Sequence, residues 1–321
     1  MLSAITWDLD PTAIDLGFWQ IRWYGICFAA TIYTGFAMWR TGAMKYGKSP
    51  EYAERFLWYG VLGIVLGARL GHCLFYEPER YLANPIEILY FWKGGLASHG
   101  ATLGLLFVIW LFGRNTKTPY LRVADFMAQA VAFSVGGVRL GNFFNSEIVG
   151  RPWDGPWAVI FARYDRMMGI HPPVPRHPTA LYEVAMGLIT WAVLRFVEKR
   201  NIRNAGSGLQ MGVFLVFYFS FRFLVEFFKA YQVDKFIANA ESIRQGTQGF
   251  QLTMGQYLSI APVMLGLILI VRALNTPTDA NPPPTPWTPE LERAPVAAQV
   301  TASSNRGGNS GGSAKAKRRK K

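Results

Sequence analysis

Arg139 opens the run Arg139-Leu140-Gly141-Asn142-Phe143-Phe144-Asn145-Ser146-Glu147, and Arg222 stands one helical turn before Glu226. Both arginines belong to stretches apolar enough to lie in a membrane. Ionisable side chains are expensive in lipid and face a bundle interior or a wet cavity, where they bind something charged. Two planar guanidinium forks suit one phosphate. Asn142 and Asn145 add amide donors and acceptors beside Arg139. Were the helix to continue, the eight residues from Arg139 to Glu147 would put both on roughly one face, but the glycines and asparagines favour a helix end near Asn142. Tyr218, Arg222 and Glu226 recur every fourth residue and form one stripe, in which the carboxylate orients the fork. A buried pair that only fixes helix register is the structural alternative. A second Arg–Glu unit in the same bundle weighs against it.

Other polar groups lie near the same end of the apolar stretches. His99, in Ser98-His99-Gly100, is the obvious group within a span that can move a proton near neutrality. His177, before Pro178, is read as an orienting residue. Tyr24, in Trp23-Tyr24-Gly25, is a site candidate or an interfacial aromatic anchor. Arg69 lies between Gly67 and Gly71 and needs an acidic partner, an anion or a route to water; the sequence leaves these open. Together the groups describe a cationic pocket with proton-transfer capacity, suited to an anionic phospholipid headgroup.

Seven apolar stretches must position these residues: about 18–39, 56–76, 95–113, 123–143, 179–197, 208–228 and 254–273. The expected fold is an all-α polytopic membrane protein with seven transmembrane helices and a periplasmic-side loop or lid region. Residues 1–275 would form the membrane catalytic domain, and 276–321 a disordered basic tail rich in Pro, Gly and Ser. Gly63, Gly67 and Gly71 in the second span, with Gly100 and Gly104 in the third, let helix backbones approach closely. Two outer connections, 144–178 and 229–253, are long enough to act as lids or binding loops.

The formal charge of +13 is uneven. Lys and Arg crowd the 40–55, 114–122 and 195–203 connections and the end of the tail. Under the positive-inside rule those segments are cytoplasmic, so seven spans place the N-terminus outside and the C-terminus inside. The N-terminal segment has Asp8, Asp10 and Asp15 and no basic residue before Arg22, so the first span is expected to be retained rather than cleaved. Cys27 and Cys73 lack metal-ligand spacing and read as packing residues. The basic tail is expected to meet anionic lipid rather than nucleic acid.

The run from Gly137 to Gly150 resembles the signature of the bacterial prolipoprotein diacylglyceryl transferase family. Further matching elements follow in order: Trp23-Tyr24-Gly25, Gly67-Ala68-Arg69-Leu70-Gly71, Ser98-His99-Gly100, Arg176-His177-Pro178, Leu181-Tyr182-Glu183, Tyr218, Arg222 through Phe228, and Met254-Gly255-Gln256. The resemblance spans roughly 15–273. It implies seven spans with the N-terminus periplasmic, in the bacterial inner membrane. It also implies transfer of the diacylglyceryl group of phosphatidylglycerol to the lipobox cysteine of a prolipoprotein signal peptide, giving a thioether and glycerol 1-phosphate. No metal or soluble cofactor is implied. By matching positions, His99, Arg139, Arg222, Glu226 and Tyr24 become the catalytic candidates, while Arg139, Asn142, Asn145, Glu147, Gly150, Arg222 and Tyr218 would bind the lipid. His99 is the favoured base, with the field of Arg222 on the thiol as the alternative. The chain departs from relatives at Ser98 and Ala101 beside His99, at Ala180 where Gln is expected, and at Lys229 where Arg is common.

A transporter or flippase for anionic phospholipid would use the same cavity, but it predicts internal repeats and broken helices at mid-membrane, and no convincing repeat is present. A retinal-type photoreceptor would need a lysine in the last span, and 254–273 holds only Arg272.

Overall fold

The computed structural model describes residues 4–90, 94–95, 97–200, 206–230, 252–276 and 285–290. The chain is mostly helical. Its long helices are α1 (Trp23–Lys45), α2 (Pro50–Phe75), α4 (Ser98–Asn115), α5 (Tyr120–Phe144), α7 (Thr179–Arg200), α8 (Leu209–Val225) and α9 (Met254–Asn275), with short α3 (Pro78–Ala83) and α6 (Ala162–Met167) between them. Among the described residues, five helices are long and apolar enough to cross a membrane: α2, α5, α7, α8 with its 3-10 extension, and α9. The expected first and third spans, now α1 and α4, fall outside that group. Thr and Gly dilute α1, while α4 is short and spends its ends on Ser98, His99, Arg114 and Asn115.

Helix starts are written into the sequence. Ser49 caps α2 by accepting the Tyr52 N–H, with Pro50 in the first turn, where its missing N–H is not needed. Thr253 and Gln256 form a reciprocal capping box on α9. The start of α8 is capped from another helix: the Asp125 carboxylate of α5 accepts the N–H groups of Gly206, Gly208 and Met211, each at 2.9 Å. These bonds fix α8 against α5 and so set where Arg222, near its far end, must lie.

The helices α2 and α4 touch backbone to backbone. A methyl group added at Gly100 would stand 2.2 Å from the Gly67 carbonyl oxygen, and one at Gly104 2.1 Å from that of Gly63. Arg69, buried in this interface, has no acidic ion-pair partner among the described residues. It donates to the backbone carbonyls of Glu87, Ile88, Gly94 and Gly95 at 2.6–3.2 Å. Large apolar side chains on the outer faces stay exposed, among them Leu66 and Leu70 on α2, Phe107 on α4 and Ile268 on α9. Such a belt is what lipid covers.

Two small sheets depart from the all-helical expectation. Before α1, β2 (Thr12–Asp15) and β3 (Gln20–Arg22) form a hairpin that turns at Gly17, whose φ of 79° suits glycine. Apolar Phe18, Trp19 and Ile21 had placed this segment in the first span; it ends instead before Trp23. Elsewhere β1 (Ile5–Trp7) pairs in parallel with β4 (Val159–Phe161), which pairs antiparallel with β5 (Pro175–Arg176). The 144–178 connection is thus held to the N-terminal segment. The other long connection lies outside the described residues between 231 and 251, as does most of the tail. Within the tail, the Trp287 N–H donates to the Met44 carbonyl at 2.8 Å.

Candidate active site

Arg139 lies one turn before the end of α5. Beyond Phe144 the backbone leaves the helix: Ser146 and Ile148 both have positive φ, at 56° and 54°, a conformation that costs a β-branched residue roughly 1–2 kcal/mol. The turn folds back, with the Glu147 N–H on the Asn142 carbonyl at 2.9 Å. It is clamped to α7, where the Thr179 hydroxyl donates to the Ile148 carbonyl and the Gly150 N–H to that of His177. Glu147 thereby accepts amide hydrogens from Asn142 at 2.7 Å and Asn145 at 3.2 Å, while the Asn142 side-chain oxygen Oδ1 accepts from Arg139 at 3.2 Å.

Glu147 is therefore not the ion-pair partner of Arg139. That partner is Glu183, one turn into α7, fully buried and ion-paired with the Arg139 Nε. The contact requires α5 and α7 to lie close, and a methyl at Gly187 would meet the Ala132 carbonyl oxygen and the Gly136 nitrogen at 2.9 Å. Arg222 pairs with Glu226, as the spacing predicts, and its Nη1 lies 4.0 Å from Glu183. Tyr218 completes the α8 stripe against the Arg139 guanidinium, within the fields of Glu183 and Arg222. Gly255 of α9 backs the second pair: a methyl there would stand 3.1 Å from Arg222 Nη2 and the Glu226 carboxyl.

Two arginines from different helices thus meet at one buried carboxylate, each with about a fifth of its side chain still open (23% and 21%). The model of the prolipoprotein diacylglyceryl transferase family matches residues 11–272, which holds the whole of this arrangement. The chain belongs to that family. It is 39% identical over 275 residues to the phosphatidylglycerol–prolipoprotein diacylglyceryl transferase of Chloroherpeton thalassium, covering 85% of this chain and 96% of the relative. The protein of the same name from Tolumonas auensis is 38% identical over 266 residues, covering 83% and 96%.

In this member of the family, Tyr24 at the start of α1 packs against Gly141, within the fields of Glu147 and Arg139. Tyr24 and Asn145 also line a cavity of about 520 Å³ with Trp19, Gln20, Ile21, Arg22 and Gly25. Gly150 packs on the His177 backbone with no room for a side chain. The His177 ring stacks on Trp153 at 4.3 Å and its Nδ1 lies 3.0 Å from the Tyr182 hydroxyl. Burial, with the charge of Arg151 beside it, holds the His177 pKa below the usual imidazole value, so it stays neutral near pH 7, in keeping with an orienting part.

His99 is not brought to the arginines. It is exposed on the first turn of α4 and makes no hydrogen bond or ion pair with another described residue. Sequence reasoning missed two members of the cluster. Neither Glu183 nor Lys229 is spaced along the chain so as to meet Arg139, yet the Lys229 Nζ lies 2.6 Å from Glu183. A buried glutamate early in an apolar helix was the available signal.

Proposed function

We propose that the chain transfers the diacylglyceryl group of phosphatidylglycerol to the lipobox cysteine of prolipoprotein signal peptides. The observation that carries this is the pair of partly open arginines on one buried carboxylate, in a chain of this family. In the reaction the cysteine sulfur attacks the glyceryl carbon that bears the phosphate. A C–S bond forms, the C–O bond breaks, and the phosphate departs with its electron pair as glycerol 1-phosphate.

The guanidiniums of Arg139 and Arg222 bind the phosphate and stabilise its growing negative charge in a site of low dielectric. Glu226 orients Arg222, and Tyr218 spaces the two forks. Asn142, Asn145 and Glu147 form a polar rim for the glycerol hydroxyls, Gly150 lets the turn that carries them pack tightly on His177, and Tyr24 walls the mouth. The thiol, with an ordinary pKa near 8.5, needs modest help. His99 takes its proton, its exposed ring being open to an incoming peptide.

Seven spans, an inner-membrane location, a periplasmic N-terminus and a cytoplasmic C-terminus agree with the Lys and Arg distribution. Residues 1–275 carry the reaction under a lid formed by 144–178, and 276–321 are a dispensable tail. A flippase is not favoured by membership of a transferase family. The deciding experiment incubates purified protein with phosphatidylglycerol and a lipobox peptide, beside Arg139→Ala. The peptide gains a diacylglyceryl mass with wild type and not with the variant. No mass gain with folded wild type sinks the reading.

A further inference from the structure

Lys229 follows the 3-10 turn Glu226–Phe228, and its backbone is fixed by a strand-like pairing with 149–151. The Arg151 N–H donates to Phe228 at 2.8 Å, the Ala230 N–H to Val149 at 3.1 Å, and Arg151 Nε to the Lys229 carbonyl at 3.1 Å. The side chain then points into the site, with Nζ 2.6 Å from Glu183 Oε1 and 3.7 Å from Glu226 Oε2. Glu183 meanwhile holds Arg139 through its other oxygen and has Arg222 4.0 Å from the first. One carboxylate is common to three cations on three segments.

Exposure separates the roles. Arg139, Arg222 and Lys229 keep 23%, 21% and 13% of their side chains open, whereas Glu183 keeps none. A carboxylate with no open surface touches no substrate and can act only through the groups it holds. Without it, Arg139 would lose its ion-pair partner, and Glu226 alone would stand between Arg222 and Lys229. A lysine is a mobile point charge with three donors, so Lys229 can turn an N–H from carboxylate to phosphate.

We propose that Glu183 is the positioning residue of this site, holding Arg139, Arg222 and Lys229 as a three-cation cradle in which Lys229 is the third group to bind the substrate's phosphate. The inference rests on the transferase reading and names how that site grips its leaving group.

Glu183→Gln keeps the shape and removes the shared charge. Its kcat is expected to fall about tenfold or more, because misdirected cations miss the leaving oxygen. Its KM for phosphatidylglycerol does not rise, because a competing anion is gone. Lys229→Gln is expected to bind glycerol 1-phosphate about tenfold more weakly by calorimetry, as befits a lost charged hydrogen bond. Lys229→Arg restores most of that affinity, and the KM for peptide stays unchanged in all three. A wild-type kcat in Glu183→Gln overturns the proposal, as does undiminished glycerol 1-phosphate binding by Lys229→Gln. Should Glu183→Gln fail to fold in a thermal scan, the Lys229 pair decides alone. Calorimetry needs no turnover, so binding through Lys229 without peptide modification retires the transferase reading and leaves the cradle standing.

Discussion

Asp165 and Arg176 form an ion pair in which both side chains are fully buried. Arg176 gives two N–H groups to one carboxylate oxygen, the other oxygen accepts the Val174 N–H at 2.8 Å, and the Tyr164 ring covers the guanidinium. Arg69 is likewise enclosed by protein, its guanidinium donating to four carbonyls. The cluster on Glu183 differs because its cations hold on to protein with one side and keep the other open. Buried charge alone therefore says little about function. What marks the site is a cation held by protein on one side and still open on the other.

The sharpest way to break the comparison is to remove one charge from each region. Arg139→Ala should lower kcat/KM for the peptide by about 10²–10³, the range for losing a fixed donor to developing charge. A drop of only a few-fold would put Arg139 among the scaffold charges. Asp165→Ala should instead destabilise the fold by about 3–5 kcal/mol, since it strands a buried guanidinium. Its thermal midpoint should fall while turnover per folded molecule holds; lost turnover in a folded variant would erase the distinction.

His99 lies outside both regions and tests whether the proton acceptor stands apart from the cations. His99→Gln should cost about a hundredfold at neutral pH, a loss that shrinks as pH approaches the thiol's own pKa. A loss independent of pH would shift its role to packing. The smallest effect belongs to Lys229→Arg. Burial pushes the Lys229 pKa below its ordinary 10.5, so a cation is lost, and the rate with it, as pH rises toward that value. The arginine variant should hold its rate further into the alkaline range, and coincident alkaline limbs would count against Lys229.

What was legible in the sequence follows from distance along the chain. Tyr218, Arg222 and Glu226 share one helix, so spacing alone gathers them. Glu183 reaches Arg139 only because α5 and α7 pack through Gly136 and Gly187, a tertiary contact without local trace. Glu147 reaches Arg139 only through the Asn142 side chain, because the helix ends where the glycines and asparagines suggested and the turn at Ser146 and Ile148 carries the chain away. Arg69 was opaque for another reason: its partners are backbone carbonyls, which every residue offers. The long helices declared themselves by length and apolarity, whereas the hairpin before α1 hid behind its own greasy residues.

Those residues have a use. Phe18 and Trp19, at the hairpin tip, are 89% and 65% exposed. Such rings settle at the boundary between headgroups and acyl chains. The tip is therefore a waterline that sets how deep the protein rides in its leaflet. Because β3 runs straight into Trp23 and Tyr24, the strand that carries the exposed tip also lines the cavity beside Tyr24, so under the proposed function the depth of the tip sets the level at which lipid meets that cavity.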